Sequence, residues 1–154
     1  MEECVALARE RLARRGLDAD LYTGRIEALA PPRRFAVFIF SWFCYGYIPQ
    51  RRTRIGILRT VKEHLLLDGR ILISYIPCDH PPRPLLVRLA RLVSRLGGSD
   101  WRPEDRDVVG ARHDGPFIHY EHRFLADEIA TEAAEAGLTV VFHDADGGRL
   151  VLGA

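Results

Sequence analysis

The stretch over residues 35–75 constrains the fold of this chain more than any other. It reads as a buried strand, an amphipathic helix and a second buried strand. Continuous apolar runs at 36–40 and 71–73 are typical of strands that are covered on both faces, as in a parallel sheet. Ligands bind such sheets outside the carboxyl ends of the strands. Ser41, Trp42 and residues 45–49, which follow the first strand, are therefore predicted to lie at a ligand site.

Hydrophobic periodicity and turn residues predict the remaining elements. Helices are expected over residues 2–15, 50–67, 84–96 and 125–136, strands over 20–23, 35–42 and 70–76, and an extended piece over 117–122. Residues 99–116 are expected to be irregular, and a β-hairpin with its turn at Asp146, Gly147 and Gly148 closes the chain. Because strands alternate with helices, the pattern predicts an α/β fold with a mainly parallel sheet and an antiparallel hairpin at its C-terminal edge.

Composition narrows the classes of function. The 154 residues carry 22 basic and 21 acidic side chains, so no overall charge favours nucleic acid or an anionic membrane as a partner. The three cysteines are widely spaced, which predicts no disulfide framework. Charges begin at Glu2 and no apolar signal segment follows, so we expect a cytoplasmic protein.

Four segments in this order resemble the C-terminal two-thirds of a class I S-adenosylmethionine-dependent methyltransferase. They are GRIEAL at 24–29, FIFSWFCYGYIP at 38–49, LLLDGRILISYIP at 65–77 and HRFLADEIATEAAEAGLTVVFHD at 122–144. The resemblance implies a Rossmann-like methyltransferase sheet in a single domain over 1–154, with residues 77–123 inserted as a substrate lid. It also implies N-terminal truncation, because the glycine-rich turn that holds the cofactor in that family has no counterpart in these residues.

The same resemblance implies S-adenosylmethionine as cofactor. Its binding residues, by position, would be Arg25, Ile26, Ser41, Trp42 and Tyr47. Two positions depart from the family pattern. Arg25 stands where an aspartate usually accepts a hydrogen bond from adenine, and arginine has no acceptor. Leu125 replaces a threonine that would cap the late helix, and losing such a cap costs about 1 kcal/mol.

A small-molecule methyl acceptor is expected, and its binding residues are predicted to be Tyr45, Tyr75, His119, Tyr120 and His122. No residue is assigned a catalytic role. A plainer interpretation is that the aromatic residues pack the start of the helix and that 119–122 form a surface strand. Metal binding is not predicted, because successive side chains of an extended segment alternate, which points His119 and His122 apart.

Three hypotheses for function remain open. The chain is all or part of a methyltransferase; or it is a non-catalytic remnant that pairs through an exposed sheet edge, as a homodimer or with a chain that supplies the cofactor half; or the true start of the gene lies upstream of Met1. The arginines of the 84–96 helix could bind an anionic substrate or a membrane surface, but a solvated face is the preferred interpretation.

Overall fold

The computed structural model describes residues 2–28, 33–79, 84–111 and 118–154. The chain divides into two compact units, Met1–Ala30 and Pro31–Ala154. Across the described ranges, no helix is long and apolar enough to cross a bilayer.

The first unit is built on one helix, α1, over Glu2–Arg14. Gly16 follows it with φ 63°, a left-handed conformation that glycine adopts easily, and donates its N–H to the Ala13 carbonyl at 3.0 Å. A short 3-10 turn lies further on, at Ile26–Ala28. The strand predicted over 20–23 is wrong. Those residues form coil, and Tyr22 is 63% exposed, so no neighbouring strand stabilises an extended conformation there.

The second unit contains a four-stranded sheet in the order β1-β2-β6-β5. Its strands are β1 at Phe35–Phe40, β2 at Leu65–Ser74, β5 at Thr139–Asp144 and β6 at Arg149–Gly153. β1 runs parallel to β2, whereas β6 is antiparallel to both β2 and β5. The C-terminal hairpin is confirmed. A mainly parallel sheet is not confirmed, because the described strands form one parallel pair and two antiparallel pairs.

Two helices supply the rest of the core. α2 spans Arg51–Glu63, and α4 spans Ala126–Glu135. Their apolar residues recur every three or four positions, as expected of a helix with one buried face. The buried apolar side chains from these helices and from the sheet are Phe40, Ile55, Ile57, Leu58, Val61, Leu65, Ile71, Ile73, Ile129, Ala133, Leu150 and Leu152.

The junction between α2 and β2 differs from the prediction. The helix ends at Glu63 rather than 67, and β2 begins at Leu65 rather than 70. Leu65 pairs with Phe35 of β1, and Asp68 has φ 64°, which a helix cannot contain. The next regular pair joins Val37 to Arg70, so the residues between Leu65 and Arg70 interrupt the strand pairing. The Asp68-Gly69 sequence therefore marks a bulge in a strand and not the end of a helix.

A smaller substructure lies between β2 and α4. It consists of α3 at Pro84–Leu96 and a separate two-stranded antiparallel sheet of β3, Asp107–Ala111, and β4, Ile118–His122. The extended piece predicted at 117–122 is confirmed over the described part of that range. The prediction of an irregular 99–116 missed β3, because its pairing with β4 is not visible in local sequence. Residues 112–117 lie outside the described ranges.

Candidate functional site

The carboxyl end of β1 turns sharply at residues 41–43, which we call the strand-end turn. Trp42 and Phe43 both have left-handed backbone, with φ 59° and 61°. For a residue with a side chain this conformation costs about 1–2 kcal/mol, and for bulky residues it is uncommon. Trp42 nevertheless places its ring in solvent, with 86% of the residue exposed. Strain of this kind at a sheet end is typical of binding sites.

The end of β2 braces this turn. Ser74, the last residue of β2, accepts the Phe43 N–H on its Oγ at 3.1 Å and donates its hydroxyl to the Phe40 carbonyl at 3.2 Å. The two parallel strands therefore hold the turn jointly, and Ser41 and Trp42 stay exposed beyond it.

A 3-10 turn over Cys44–Tyr47 follows the strand-end turn. At its last residue, the ring of Tyr47 contacts the ring of His119. Their rings lie 5.3 Å apart, edge to face, and Tyr47 is 44% exposed. His119 Nε2 lies 2.9 Å from Glu121 Oε2, and Arg123 Nε donates to the other oxygen of Glu121 at 2.8 Å. Burial opposes ionisation of Glu121, but the hydrogen bonds from His119 and Arg123 outweigh it and lower the pKa of this carboxyl.

Two tyrosines predicted to bind substrate lie in the core. Tyr45 is fully buried and donates its hydroxyl to Glu132 Oε2 at 2.9 Å. Burial and the neighbouring Glu132 charge raise its pKa well above the ordinary value. Tyr75 is also fully buried, with its hydroxyl 2.7 Å from His143 Nε2. In this conformation neither ring reaches a ligand surface.

Tyr45 belongs to a buried network of charges that the sequence did not reveal. Arg54, fully buried, donates to Glu132 at 2.6 Å and to Glu104 at 3.0 Å, and its guanidinium lies 5.1 Å from the Phe124 ring centroid. A signal existed: Arg54 precedes Leu58 by four residues, which places it on the buried face of α2. Charged residues are almost never fully buried unless paired, and the partners of Arg54 are 50 and 78 residues away in sequence, so the sequence did not identify them.

His122 is the second centre of this network. Its Nδ1 donates to Asp107 Oδ1 at 2.8 Å and its Nε2 donates to Glu128 Oε1 at 3.1 Å. Burial alone would lower the pKa of this imidazole, but the two carboxylates outweigh it and raise the pKa. Tyr120, from the same strand, donates to Asp107 at 3.0 Å, and burial followed by the Asp107 charge raises its pKa.

Glu104, Asp107 and His122 come close enough for a metal, with ligand atoms within 4.8 Å of one another. A histidine ligand must be neutral and must offer a free lone pair. Here both ring nitrogens of His122 are engaged with carboxylates, and Glu104 pairs with Arg54. The cluster is therefore balanced by protein cations, and we interpret it as a structural ion-pair network.

A cavity of ≈ 630 Å³ lies between α3 and residues 101–109. Apolar side chains line most of it, including Val87, Trp101 and Val108. Asp105 and Arg106 also line it, and among the described residues Asp105 Oδ1 and Arg106 Nε are buried without a hydrogen-bond partner. Buried polar atoms are normally satisfied, so these two atoms are suited to a polar group of a bound molecule.

The remaining predicted cofactor residues lie in the first unit. Ile26 is half-buried in the 3-10 turn, and Arg25 is exposed just before it, its carbonyl accepting the Ala28 N–H at 3.1 Å.

No protein-family model matches the chain, and no curated protein matches it. Solved structures do match. A S-adenosylmethionine-dependent methyltransferase from Clostridium acetobutylicum ATCC 824 aligns with a TM-score of 0.66 at 13% identity, covering 99% of this chain and 70% of that one. CalS10, an amino pentose methyltransferase from Micromonospora echinaspora solved with bound S-adenosylmethionine, gives 0.63 at 13% identity, covering 99% and 70%. The glycopeptide N-methyltransferase MtfA gives 0.60 at 18% identity, covering 99% and 69%.

At these identities the likeness establishes the fold. The chain has the Rossmann-like α/β fold of class I S-adenosylmethionine-dependent methyltransferases, as its local motifs predicted. It spans about 70% of the length of these neighbours.

Proposed function

We propose that this chain is the acceptor-binding part of an S-adenosylmethionine-dependent methyltransferase that acts on a small molecule. One observation carries the proposal: an exposed, strained tryptophan turn stands at the carboxyl end of a parallel strand, in a methyltransferase fold. In such sheets this position faces the ligand crevice. Ser41, Trp42 and Tyr47 would line the cofactor side of that crevice. For Arg25 and Ile26, a role in cofactor binding rests on the sequence resemblance alone.

The open edge of β1 supports a shared site. In the described sheet β1 has a partner on one edge, β2, and its apolar residues Val37 and Ile39 are 47% and 65% exposed. Its continuous apolar run is typical of an interior strand covered on both faces. We propose that a segment carrying the glycine-rich cofactor turn pairs with this edge when the site is complete.

The cavity beside α3 is the proposed acceptor site. Its apolar lining would enclose the body of the acceptor, and Asp105 and Arg106 would bind its polar groups. When bound, S-adenosylmethionine would supply an electrophilic methyl group on sulfur. Catalysis would then rest mainly on holding the acceptor nucleophile in line with that carbon.

His119, whose ring lies 5.3 Å from that of Tyr47, is proposed to accept the proton that the acceptor loses. Its side chain is 34% exposed, and Glu121 holds one ring nitrogen at 2.9 Å. A carboxylate partner of this kind fixes the orientation of an imidazole base. Tyr120 donates its hydroxyl to Asp107 and His122 is enclosed between two carboxylates, so we propose that these two residues hold β4 in place and do not themselves accept the proton.

Calorimetric titration with S-adenosylhomocysteine tests the cofactor assignment. The DNA upstream of Met1 is sequenced first. If it encodes an in-frame segment, the chain is expressed with and without that segment. We expect saturable binding by the extended chain and none, at millimolar ligand, by residues 1–154 alone. Trp42→Ala in the extended chain should weaken binding about tenfold, equivalent to about 1.4 kcal/mol, whereas Leu67→Ala, at a residue 93% exposed on β2, should not.

Two results would contradict the proposal. One is an extended chain that carries a glycine-rich turn and does not bind; the other is equal affinity of the Trp42→Ala variant and the parent. If no such segment is encoded upstream, the observation that β1 exposes its edge favours the second function: a non-catalytic protein that associates through that strand, with itself or with a separate cofactor-binding chain.

A further inference from the structure

Helix α3 presents an apolar side that no described residue covers. Six large apolar side chains on this side are between 54% and 80% exposed. They are Leu85, Leu86, Leu89, Leu92, Val93 and Leu96. At about 100° per residue these positions fall within one stripe along the helix. A helix of 13 residues is about 20 Å long, so the stripe is a continuous surface of the kind that marks an interaction site.

The opposite side of α3 is hydrogen-bonded to residues 101 and 103, and these bonds set the orientation of the stripe. Ser94 is buried and donates its hydroxyl to the Trp101 carbonyl. Arg91 donates its Nε–H to the Pro103 carbonyl at 2.7 Å. Ser94 is on the far side of the helix from Leu85, so these bonds hold α3 with Leu85, Leu92 and Leu96 away from the body of the protein. Leu86, Leu89 and Val93 border an open groove beside Trp101 and remain more than half exposed.

The stripe is bordered by positive charge. α3 contains Arg88, Arg91 and Arg95 and no acidic residue. Arg88 and Arg95 are seven residues apart and therefore lie together along one border of the stripe. In the described parts of the chain neither takes part in an ion pair.

Two acidic residues that follow α3 are paired elsewhere and do not neutralise its arginines. Glu104 pairs with Arg54, and Asp107 pairs with His122.

We propose that α3 binds the surface of a membrane that contains anionic lipids. The apolar stripe would enter the interface between headgroups and acyl chains, and the arginines would contact lipid phosphates. A strongly amphipathic helix with a purely basic polar border is the sequence type that binds such surfaces. A second copy of the chain is a poorer occupant, because two stripes facing each other would bring arginines from both helices together with no acid from either.

This inference is independent of the proposed function and departs from the prediction of no membrane partner. That prediction rested on the overall charge, which is near zero. The local charge of α3 and the exposure of its leucines are properties that an average over the chain conceals.

Flotation with lipid vesicles tests the proposal on the whole chain. Protein is mixed with phosphatidylcholine vesicles that contain or lack phosphatidylglycerol, and the fraction that floats is measured at low and at raised salt. We expect at least a fivefold larger bound fraction with phosphatidylglycerol, and a decrease as salt rises, since anionic headgroups contribute electrostatic attraction.

Two double variants separate the contributions of the helix. Leu89→Gln with Leu92→Gln removes the centre of the stripe, and Arg88→Gln with Arg95→Gln removes its charged border. Each is expected to reduce binding at least fivefold. Leu67→Gln and Arg52→Gln, at exposed positions outside α3, are the matched controls and should leave binding unchanged. Circular dichroism verifies that every variant is folded.

The proposal is overturned if vesicles with and without phosphatidylglycerol bind equally, or if neither binds. It is also overturned if sedimentation shows a dimer that the Leu89→Gln, Leu92→Gln variant converts to monomer, because the stripe would then belong to a second copy.

Discussion

Gly148 occupies a position in the hairpin turn that no larger residue fits. Its φ is +61°, and a Cβ atom there would lie 2.0 Å from the Tyr75 carbonyl oxygen. Its own carbonyl accepts the Tyr75 N–H at 2.8 Å, so the turn is tied to the end of β2. We expect Gly148→Ala to lower the free energy of unfolding by about 3 kcal/mol, from left-handed strain together with overpacking. Urea denaturation measures the change.

Gly56 is the matched control for that substitution. It lies within α2, is exposed, and has no atom within 4 Å of a Cβ placed on it. Alanine is the better helix former by about 1 kcal/mol, so Gly56→Ala should raise the free energy of unfolding. A loss of stability of similar size in both variants would contradict the steric account of Gly148.

His122 makes the stability of the protein depend on pH in a direction that follows from its environment. Asp107 and Glu128 raise its folded-state pKa against the opposing effect of burial. The folded pKa therefore lies above the unfolded value of about 6.5. The stabilisation is fully present below the unfolded pKa and is lost as pH rises through the folded pKa. We expect the free energy of unfolding to fall as pH rises above about 6.5, and to fall less in His122→Gln.

Denaturation curves over a pH series, for the parent and the His122→Gln variant, measure this difference. The carboxylates make the free energy of unfolding decrease in acid. Glu121 and Glu128 have lowered pKa values, so their contribution to stability is lost as pH falls. His122 is the main group that lowers the pKa of Glu128, so its replacement should reduce the loss of stability in acid as well as the loss above neutrality. Parallel curves over the whole range would show that His122 is not held as an imidazolium.

At the scale of elements, periodicity predicted the helices and the C-terminal hairpin, because those depend on residues close in sequence. It failed at residues 65–69, where Leu65 joins β2 through its pairing with Phe35, thirty positions away. A run of leucines is compatible with a helix, and only the distant strand decides otherwise. β3 was missed for the same reason, because its strand conformation depends on pairing with β4.

The strand-end turn depends on contact between elements in the same way, and this gives a prediction about Ser74. Ser74→Ala removes the acceptor of the Phe43 N–H and the donor to Phe40. Losing one such bond costs about 1 kcal/mol, which corresponds to a roughly fivefold faster hydrogen exchange of the Phe43 amide if the turn opens locally. Ser41→Ala, at an exposed position of the same turn, is the control. Equal exchange rates in the two variants would contradict a bracing role for Ser74.

At the scale of the whole molecule, the sequence predicted which residues follow β1 better than it predicted which of their side chains face outward. Ser41, Trp42 and Tyr47 were found by counting to the end of a strand, and they are exposed there. Tyr45 and Tyr75 satisfied the same rule and are buried. The two left-handed residues of the strand-end turn rotate the chain by an amount that no periodicity encodes, so which aromatic faces outward could not be read from the sequence.

The position of β1 at an edge of the described sheet also could not be predicted from the sequence, because it depends on how all the strands are arranged. β1 reads as an interior strand but stands at an edge of the described sheet, with Ile39 65% exposed. An unprotected apolar edge pairs readily with another strand. We expect residues 1–154 to sediment as more than a monomer at micromolar concentration, and Ile39→Lys to shift them towards monomer, because an edge lysine blocks strand addition. Leu67→Lys, at a residue 93% exposed, is the matched control. Association that survives Ile39→Lys, or that Leu67→Lys abolishes equally, would place the interface elsewhere and remove the basis for pairing a cofactor-binding segment with β1.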